Sequence, residues 1–316
     1  KAHGIQIMKM CQAFANKGVE VELLVPRRRN DLKQDSFDFY NIEKTFRITR
    51  IPCLDFVSFD VANIGFLIST VSFLICSKIY LFFKKYDILY SREQLSGLFF
   101  RNFISEVHTL PKKIGYLRRR LLNRAKEIIV LTDFLKNALL RSGIGADKIS
   151  VLPDAVDLEE FDIDVSKETA REKLKLPLNK KIILYTGSFF LYGWKGVDVL
   201  LKAAKLLFGD YLFILVGGHP WELNKIQERG ELKNVALIPY VRHNLVPYYL
   251  KAADILVLPN KSGNEASELY TSPLKLFEYM ASRRPIISSD LPSIREVLTG
   301  REAEFFRPDD PEALVT

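Results

Sequence analysis

Short runs of β-branched and aromatic residues alternate along this chain with longer stretches whose apolar positions recur every three to four residues. VEVELLVP, FRITRIP, YDILYS, FISEVH, EIIVLT and ISVLP read as strands, with helical segments such as RRRLLNRAK and DFLKNALLRSG between them. The chain opens on an amphipathic helix, HGIQIMKMCQAFANKG, with Ile5, Met8, Cys11, Ala13 and Ala15 on one side and Gly18 as its stop. After Phe161 the alternation pauses in DIDVSKETAREKLKLPLNK, then resumes with KIILYTG, DYLFILVGG, VALIP, DILVLP and PIISS. This order predicts an α/β protein of two Rossmann-like, doubly wound domains, residues 1–162 and 163–316. A parallel sheet normally feeds its first helix from a strand, so the expectation is that a first strand is missing and that the chain is a fragment truncated at both ends.

One run departs from the alternation. Val61 to Ser77 carries no charge and continues past Lys78 through IYLFF to Lys84 and Lys85, approaching the length of a membrane-spanning helix. YDILY, Tyr86 to Tyr90, follows almost at once as a strand that must return to the sheet. The expectation is therefore a helix buried against the sheet or docked shallowly at an interface, not one that spans.

Composition narrows the class. With 316 residues, 48% hydrophobic and 27% charged, the chain is too apolar for disorder and too long for one small core. The formal net charge of +8 is compatible with an anionic membrane surface or a phosphate-bearing substrate. Arg27, Arg28 and Arg29 follow a strand, and Arg118, Arg119, Arg120 and Arg124 have helical spacing; they make either a solvated basic face or a membrane contact. Cys11, Cys53 and Cys76 lack metal-site spacing and read as reduced core residues of a cytoplasmic protein.

The stretch TSPLKLFEYMASRRP, from Thr271 to Pro285, carries the clearest chemistry. Ser272 is expected to cap a helix and Pro273 to occupy its first turn. The N–H groups of Leu274, Lys275 and Leu276 would then lack intrahelical partners, and the aligned peptide dipoles would favour a phosphate there. Glu278 shares a face with this helix mouth, and its two acceptor oxygens suit the vicinal hydroxyls of a ribose. An ordinary capped helix with an exposed Lys–Glu pair is the bland alternative.

These residues resemble the C-terminal signature of retaining glycosyltransferases of family 4, which have the two-domain GT-B fold. HGIQIMKMCQAFANKGVEVELLVP is similar to that family's first helix and second strand, VLPDAVDLEEF to the end of its N-terminal domain, and YTGSFFLYGWKG to its donor-phosphate loop. The resemblance implies a cleft between the domains, an acceptor held by the N-terminal domain and a UDP- or GDP-sugar donor held by the C-terminal one. It assigns donor binding to Gly187, Ser188, Lys195, Ser272, Leu274, Lys275, Leu276 and Glu278. It makes His108 and Lys195 catalytic: His108 beside the transferred sugar, and Lys195 neutralising the leaving diphosphate. His3 and Gly4 fall on the family's N-terminal acceptor or phosphate loop. Two positions depart from the pattern: Tyr270 stands where the first of two paired glutamates belongs, with Glu265 or Glu268 as substitutes only if the loop folds back, and Ser188 stands where an arginine is common.

The residues also admit blander readings. His108 has Glu106 two positions earlier on the same side of its strand as a structural partner, and Asp154 is expected to shape the cleft or a loop rather than do chemistry. Asp162 and Asp164 form a DxD in the interdomain stretch and read as linker, so no metal and no cofactor are expected. The implied partners are a nucleotide sugar, a glycan or lipid-linked acceptor and an anionic membrane surface, with no nucleic acid. A nucleotide-sugar epimerase of similar shape, and a membrane-docked nucleotide-binding protein without transferase activity, are the alternative functions.

Overall fold

The structure, a computed structural model, describes residues 2–29, 34–57, 64–189, 193–207, 209–228 and 233–316. Residues 61–63 of the uncharged run and 190–192 of the loop after KIILYTG lie outside the described residues. The chain divides into two compact units, Lys1–Val130 with Lys136–Val151, and Leu131–Leu135 with Leu152–Thr316. The changeover at Val151–Leu152 falls before the expected boundary at residue 162. Phe161 explains the difference, because it is buried in the core of the second unit beside Ile182 and Leu184, drawing the segment before it to that unit.

The first half of the chain runs α1 (Ala2–Asn16), β1 (Glu22–Pro26), α2 (Ser36–Tyr40), β2 (Arg47–Ile51), α3 (Ile64–Phe82), β3 (Tyr90–Ser91), β4 (Ile104–Val107), α4 (Tyr116–Leu122), β5 (Glu127–Val130), α5 (Asp133–Arg141) and β6 (Ile149–Val151). Strands β3 to β6 form a parallel sheet in sequence order, while β1 and β2 pair with each other in a separate parallel ladder. The YDILY strand is much shorter than the sequence suggests: only Tyr90 of that run pairs, and Tyr86 and Ile88 are exposed.

Of the two arrangements expected for α3, burial against the sheet and shallow docking at an interface, its exposed residues contradict the first. Its buried positions are Gly65, Ser69, Thr70, Leu74 and Ser77, whereas Ile64, Phe66, Leu67, Ile68, Ile75, Ile79 and Phe82 are exposed. Only 28% of its apolar window is buried, although it is long and apolar enough to cross a membrane by length and composition. The inward face is small and polar because it packs closely on an irregular segment: Ser69 Oγ donates to the Leu54 carbonyl at 2.6 Å, and Ser72 Oγ accepts from Leu54 N at 2.9 Å. Tyr80 adds a hydrogen bond to Glu22 on β1 at 2.7 Å. Cys11 is buried, but Cys53 and Cys76 are only half-buried; all three are free thiols.

The second half contains α6 (Leu158–Phe161), α7 (Lys167–Leu174), β7 (Lys181–Thr186), α8 (Val197–Leu206), β8 (Tyr211–Gly218), α9 (Pro220–Gln227), β9 (Val235–Pro239), α10 (Val246–Ala252), β10 (Ile255–Leu258), α11 (Leu274–Ser282), β11 (Ile286–Ser289), α12 (Pro292–Arg295), β12 (Glu304–Phe306) and α13 (Pro311–Val315). Its six strands are parallel in the order β12-β11-β10-β7-β8-β9. The twofold period of a strand sends Ile182, Leu184, Ile214, Val216, Leu256 and Leu258 to one face, where α10, α11 and α12 cover them. Ile183, Tyr185, Phe213, Leu215 and Val257 go to the other, under α8. Each such side chain contributes about 1.5–3 kcal/mol when fully buried. The strand order reverses between β7 and β10, and the carboxyl ends of these two neighbours are where a ligand finds loops in a sheet of this kind.

Candidate active site

At that switch point, β7 runs into Gly187, whose φ of +131° suits glycine and whose N–H donates to the Val216 carbonyl at 2.8 Å. A Cβ on Gly187 would lie 2.9 Å from Lys275 Nζ and 3.3 Å from the Tyr185 hydroxyl. The Tyr185 hydroxyl donates to the Ser188 carbonyl at 2.9 Å, and Lys195 Nζ donates to Ser188 Oγ at 2.8 Å. Lys195 ends a single 3₁₀ turn, Gly193–Lys195, immediately before the Gly196 cap of α8. Gly196 has φ +70°, and a Cβ there would collide with the Pro259 carbonyl of the loop after β10. Lys261 N donates to the Trp194 carbonyl at 2.7 Å, so the two loops are fastened together.

Glu222 holds the loop from the other side, a role the sequence reading missed. It is fully buried; one oxygen accepts from Phe189 N at 3.1 Å and the other from His219 N at 2.8 Å. The second bond belongs to a capping box at the start of α9, with Pro220 in the first turn. That signature was legible in HPWE, but its tie to Phe189 depends on the fold. Burial pulls the Lys195 ammonium below its ordinary value, opposed by the charge of Glu222.

The mouth of α11 differs from the expected cap. Pro273 occupies the N-cap position without a side-chain hydrogen bond, and Ser272 Oγ instead accepts from Asp154 N at 3.0 Å. Proline has no hydroxyl to cap with, and the serine one residue earlier is turned toward the segment after β6. Leu276 N–H is also taken, donating to the Pro273 carbonyl at 2.8 Å in a tight first turn. The N–H groups of Leu274 and Lys275 remain at the helix mouth.

Lys275 and Glu278 are not an exposed pair. Lys275 Nζ is sealed from solvent with no hydrogen-bond partner among the described residues, and it sits 3.9 Å from the centroid of the Tyr185 ring. Burial holds its ammonium well below the ordinary value, Lys195 pushes it the same way and Glu278 opposes them. Burial pushes the Glu278 carboxyl up to about 7, with Lys275 pulling it down and Glu160 pushing it up. On the next residue of the helix, the Tyr279 hydroxyl accepts from Thr186 N at 2.9 Å and fixes α11 against the end of β7.

Tyr270 is buried at the end of one wide helical turn, Ala266–Tyr270. Glu268 does not replace the carboxylate absent there, because its Oε1 accepts from Gly263 N at 2.6 Å within its own loop. Asp162 of the DxD is an ion-pair partner, 2.5 Å from Arg283 and 3.6 Å from Lys251. Among the described residues, no three His, Cys, Asp or Glu side chains are grouped so as to hold a metal ion.

The first unit has its own polar cluster at the carboxyl ends of β3 and β4. His108 follows β4, and its Nε2 lies 2.5 Å from Glu106 Oε1. Arg92 Nη2 lies 2.6 Å from Nε2 and 3.2 Å from Nδ1 of the same ring. Nε2 thus faces both the Glu106 carboxylate and the Arg92 guanidinium. Tyr90 donates to Glu106 Oε2 at 2.7 Å, and Gln6 reaches Oε1 at 3.4 Å. Burial raises the Glu106 carboxyl, but hydrogen bonds from His108 and Tyr90 and the charge of Arg92 outweigh it and hold the group below its ordinary value.

His3 joins the same cluster. Its imidazole is lowered by burial and by the charges of Arg92 and His108, against Glu106. It and Gly4 lie in the first turn of α1, not in a loop, and Gly4 is small because the Tyr40 hydroxyl occupies the space a Cβ would need. Asp154 contributes its backbone N–H to Ser272.

Comparison with known proteins places these features in a family. Residues 4–160 match the family described as Glycosyltransferase Family 4, and residues 180–316 match Glycosyl transferases group 1. The chain is 28% identical over 216 residues to a putative teichuronic acid biosynthesis glycosyltransferase, TuaH, of Bacillus subtilis, covering 66% of this chain and 51% of that protein. It is 26% identical over 166 residues to a putative colanic acid biosynthesis glycosyl transferase, WcaI, of Escherichia coli, covering 51% of this chain and 39% of that protein. The chain thus spans about half the length of these relatives, or less. Anabaena Alr3699/HepE, solved in complex with UDP and glucose, superposes with a TM-score of 0.70 at 15% identity, covering 99% of this chain and 84% of that one; this likeness is one of fold. The two family matches together take in both units, and the chain, with its GT-B fold, belongs to the group 1, family 4 glycosyltransferases.

Proposed function

We propose that this protein transfers a sugar from a UDP- or GDP-sugar to a glycan acceptor, with retention at the anomeric carbon and without a metal ion in the transfer step. The observation that carries the reading is the meeting of Lys195, the open mouth of α11 and the Lys275–Glu278 pair at the carboxyl edge of β7. Lys195 and the N–H groups of Leu274 and Lys275 are suited to a diphosphate, and Glu278, one turn along the same helix, to the ribose hydroxyls. The UDP complex of a protein of like fold supports a uridine donor. The names of the two bacterial relatives support a polysaccharide acceptor.

In the proposed reaction the bond from the anomeric carbon to the leaving phosphate oxygen breaks. A bond from the acceptor oxygen forms on the same face, and the acceptor proton passes to the departing phosphate. Lys195 stabilises charge that grows on the diphosphate toward the transition state. In the first unit, His108, held by Glu106 and Arg92, is assigned to the transferred sugar, and His3 and Gly4 to the acceptor or a phosphate.

The proposal includes a lipid surface. A helix with its small polar face inward and its aromatic and branched residues outward fits an in-plane bilayer contact, and basic residues flank it. Arg28 lies over the Phe66 ring at 5.9 Å and Lys84 over the Tyr80 ring at 5.3 Å. This arrangement supports work at the cytoplasmic face of a membrane on a lipid-linked acceptor.

A thermal-shift screen against UDP, GDP, ADP and their sugars tests the donor: a ligand at a hundred times its dissociation constant adds about 2.7 kcal/mol of stability. Sugar release or transfer from the donor so identified, with the product anomer assigned by NMR, tests the reaction. Tyr270 in place of a carboxylate favours one second reading, a nucleotide-binding protein without turnover. Nucleotide binding with neither transfer nor hydrolysis would decide for that reading.

A further inference from the structure

Lys275 is hard to account for by its described protein neighbours alone. An ammonium without hydrogen-bond partners in a sealed position is strongly unfavourable, and protein interiors keep such groups only where something compensates. Its Nζ meets the face of Tyr185 at 3.9 Å and is sealed from solvent. The described charged and titratable groups around it do not neutralise it. Lys195 repels it from the loop after β7 and Glu278 attracts it from its own helix without bonding it; the Tyr185 hydroxyl is committed to Ser188 and the Tyr279 hydroxyl to Thr186. Glu222 lies toward Lys195 and Glu160 toward Glu278.

Geometry says where the group is aimed. Lys275 Nζ stands directly beneath Gly187, 2.9 Å from the position any side chain there would occupy. Beyond the glycine is the turn in which Ser188 binds Lys195. That turn presents a hydroxyl at Ser188, so Lys195 is the cation it supplies among its described residues, whereas a nucleoside diphosphate carries at least two negative charges.

We propose that Lys275 is the second cation of the diphosphate site, reaching it across Gly187 from a different strand–helix connection, and that it takes up a proton from solvent as the diphosphate binds. The inference rests on the nucleotide-sugar reading above. It makes the glycine a specificity element as well as a turn residue, since a Cβ at 187 would stand between the ammonium and the ligand. Burial favours the neutral amine while the site is empty, and an incoming anion reverses the balance. No covalent step is involved: one proton moves from buffer to Nζ.

Calorimetric titration with UDP, GDP and uridine in two buffers of different ionisation enthalpy, at about pH 8.5 where Glu278 already carries its charge, reads the uptake directly. The wild type should take up part of a proton with the diphosphate and none with uridine. Lys275→Met, which keeps the length and apolar stem, should lose the uptake and bind the diphosphate about tenfold or more weakly, with uridine affinity unchanged. Lys275→Arg stays charged at all times, so it should bind without uptake, and it serves if the methionine variant does not fold. Glu278→Gln should retain the uptake. Uptake that persists in Lys275→Met or Lys275→Arg, or its absence in a wild type that binds UDP or GDP, overturns the inference and leaves the nucleotide reading standing. A wild type that binds no nucleoside diphosphate overturns both.

Discussion

Replacing Glu278 by glutamine keeps the shape of the side chain and removes its charge, which isolates the energetics of the α11 mouth. Burial raises this carboxyl from 4.5 to about 7. In the unfolded chain it titrates near the ordinary value, so the folded state binds the proton more tightly. Its stabilising contribution is fully present below about pH 4.5 and is lost as the pH rises through about 7. At about 1.36 kcal/mol per tenfold change in proton affinity, the difference amounts to at most ~3 kcal/mol. Near pH 8.5, with no nucleotide, Glu278→Gln should therefore be more stable than the wild type by up to ~3 kcal/mol. For a domain of this size that corresponds to ~5–10 °C in melting temperature. Near pH 4.5 the two proteins should melt together. Lys275 titrates in the same buried space with the opposite sign, and taking the difference between variant and wild type largely removes its contribution. Differential scanning calorimetry across this pH range is the assay. A difference in melting temperature that does not change with pH would mean the carboxyl is solvated and the burial argument is wrong.

Other consequences are open to simpler experiments. Lys195→Ala should lower kcat more than it raises KM for the nucleotide sugar, with partial recovery in Lys195→Arg; wild-type kinetics in the alanine variant would make Lys195 a surface charge. Gly196→Ala places a side chain on the Pro259 carbonyl at a positive φ, and should destabilise the protein by more than about 2 kcal/mol in urea titration, whereas Gly193→Ala, with open space around it, should be close to neutral. Sedimentation with anionic liposomes should capture the protein at low salt and release it at high salt, and Phe66→Ser with Phe82→Ser should abolish capture; no sedimentation at low salt would remove the membrane from the account. Turnover should be unaffected by EDTA, and its loss, restored by a divalent cation, would require a metal in the transfer step.

The parallel strands from Glu22 to Ser289 were legible because runs such as KIILYTG and DYLFILVGG are β-branched, apolar on both faces and bounded by glycine or charge. β12 was missed: Glu304–Phe306 is three residues long, too short for a period to show, and it becomes a strand by pairing along β11. The apolar character of α3 was equally legible, but its orientation was not. Hydrophobic residues are expected inward, and here the hydroxyls of Ser69 and Ser72 hydrogen-bond backbone groups of Leu54 and Phe56, which outweighs the usual preference on that face. At the site, the order of Gly187, Lys195 and Gly196 along the loop could be read directly. The true partner of Ser272, the bracing by Glu222 and the sealing of Lys275 depend on residues 33 to 118 positions away, and no local pattern carries them.

Binding of a nucleoside diphosphate at the carboxyl edge of β7, against the mouth of α11, is open to direct test in a crystal structure of the protein grown with UDP or GDP, whichever the thermal screen selects. Diphosphate density is expected within hydrogen-bond distance of Lys195 Nζ and of the N–H groups of Leu274 and Lys275, with the ribose hydroxyls on the Glu278 carboxylate. A nucleotide bound at full occupancy elsewhere, with these groups unchanged, would contradict it.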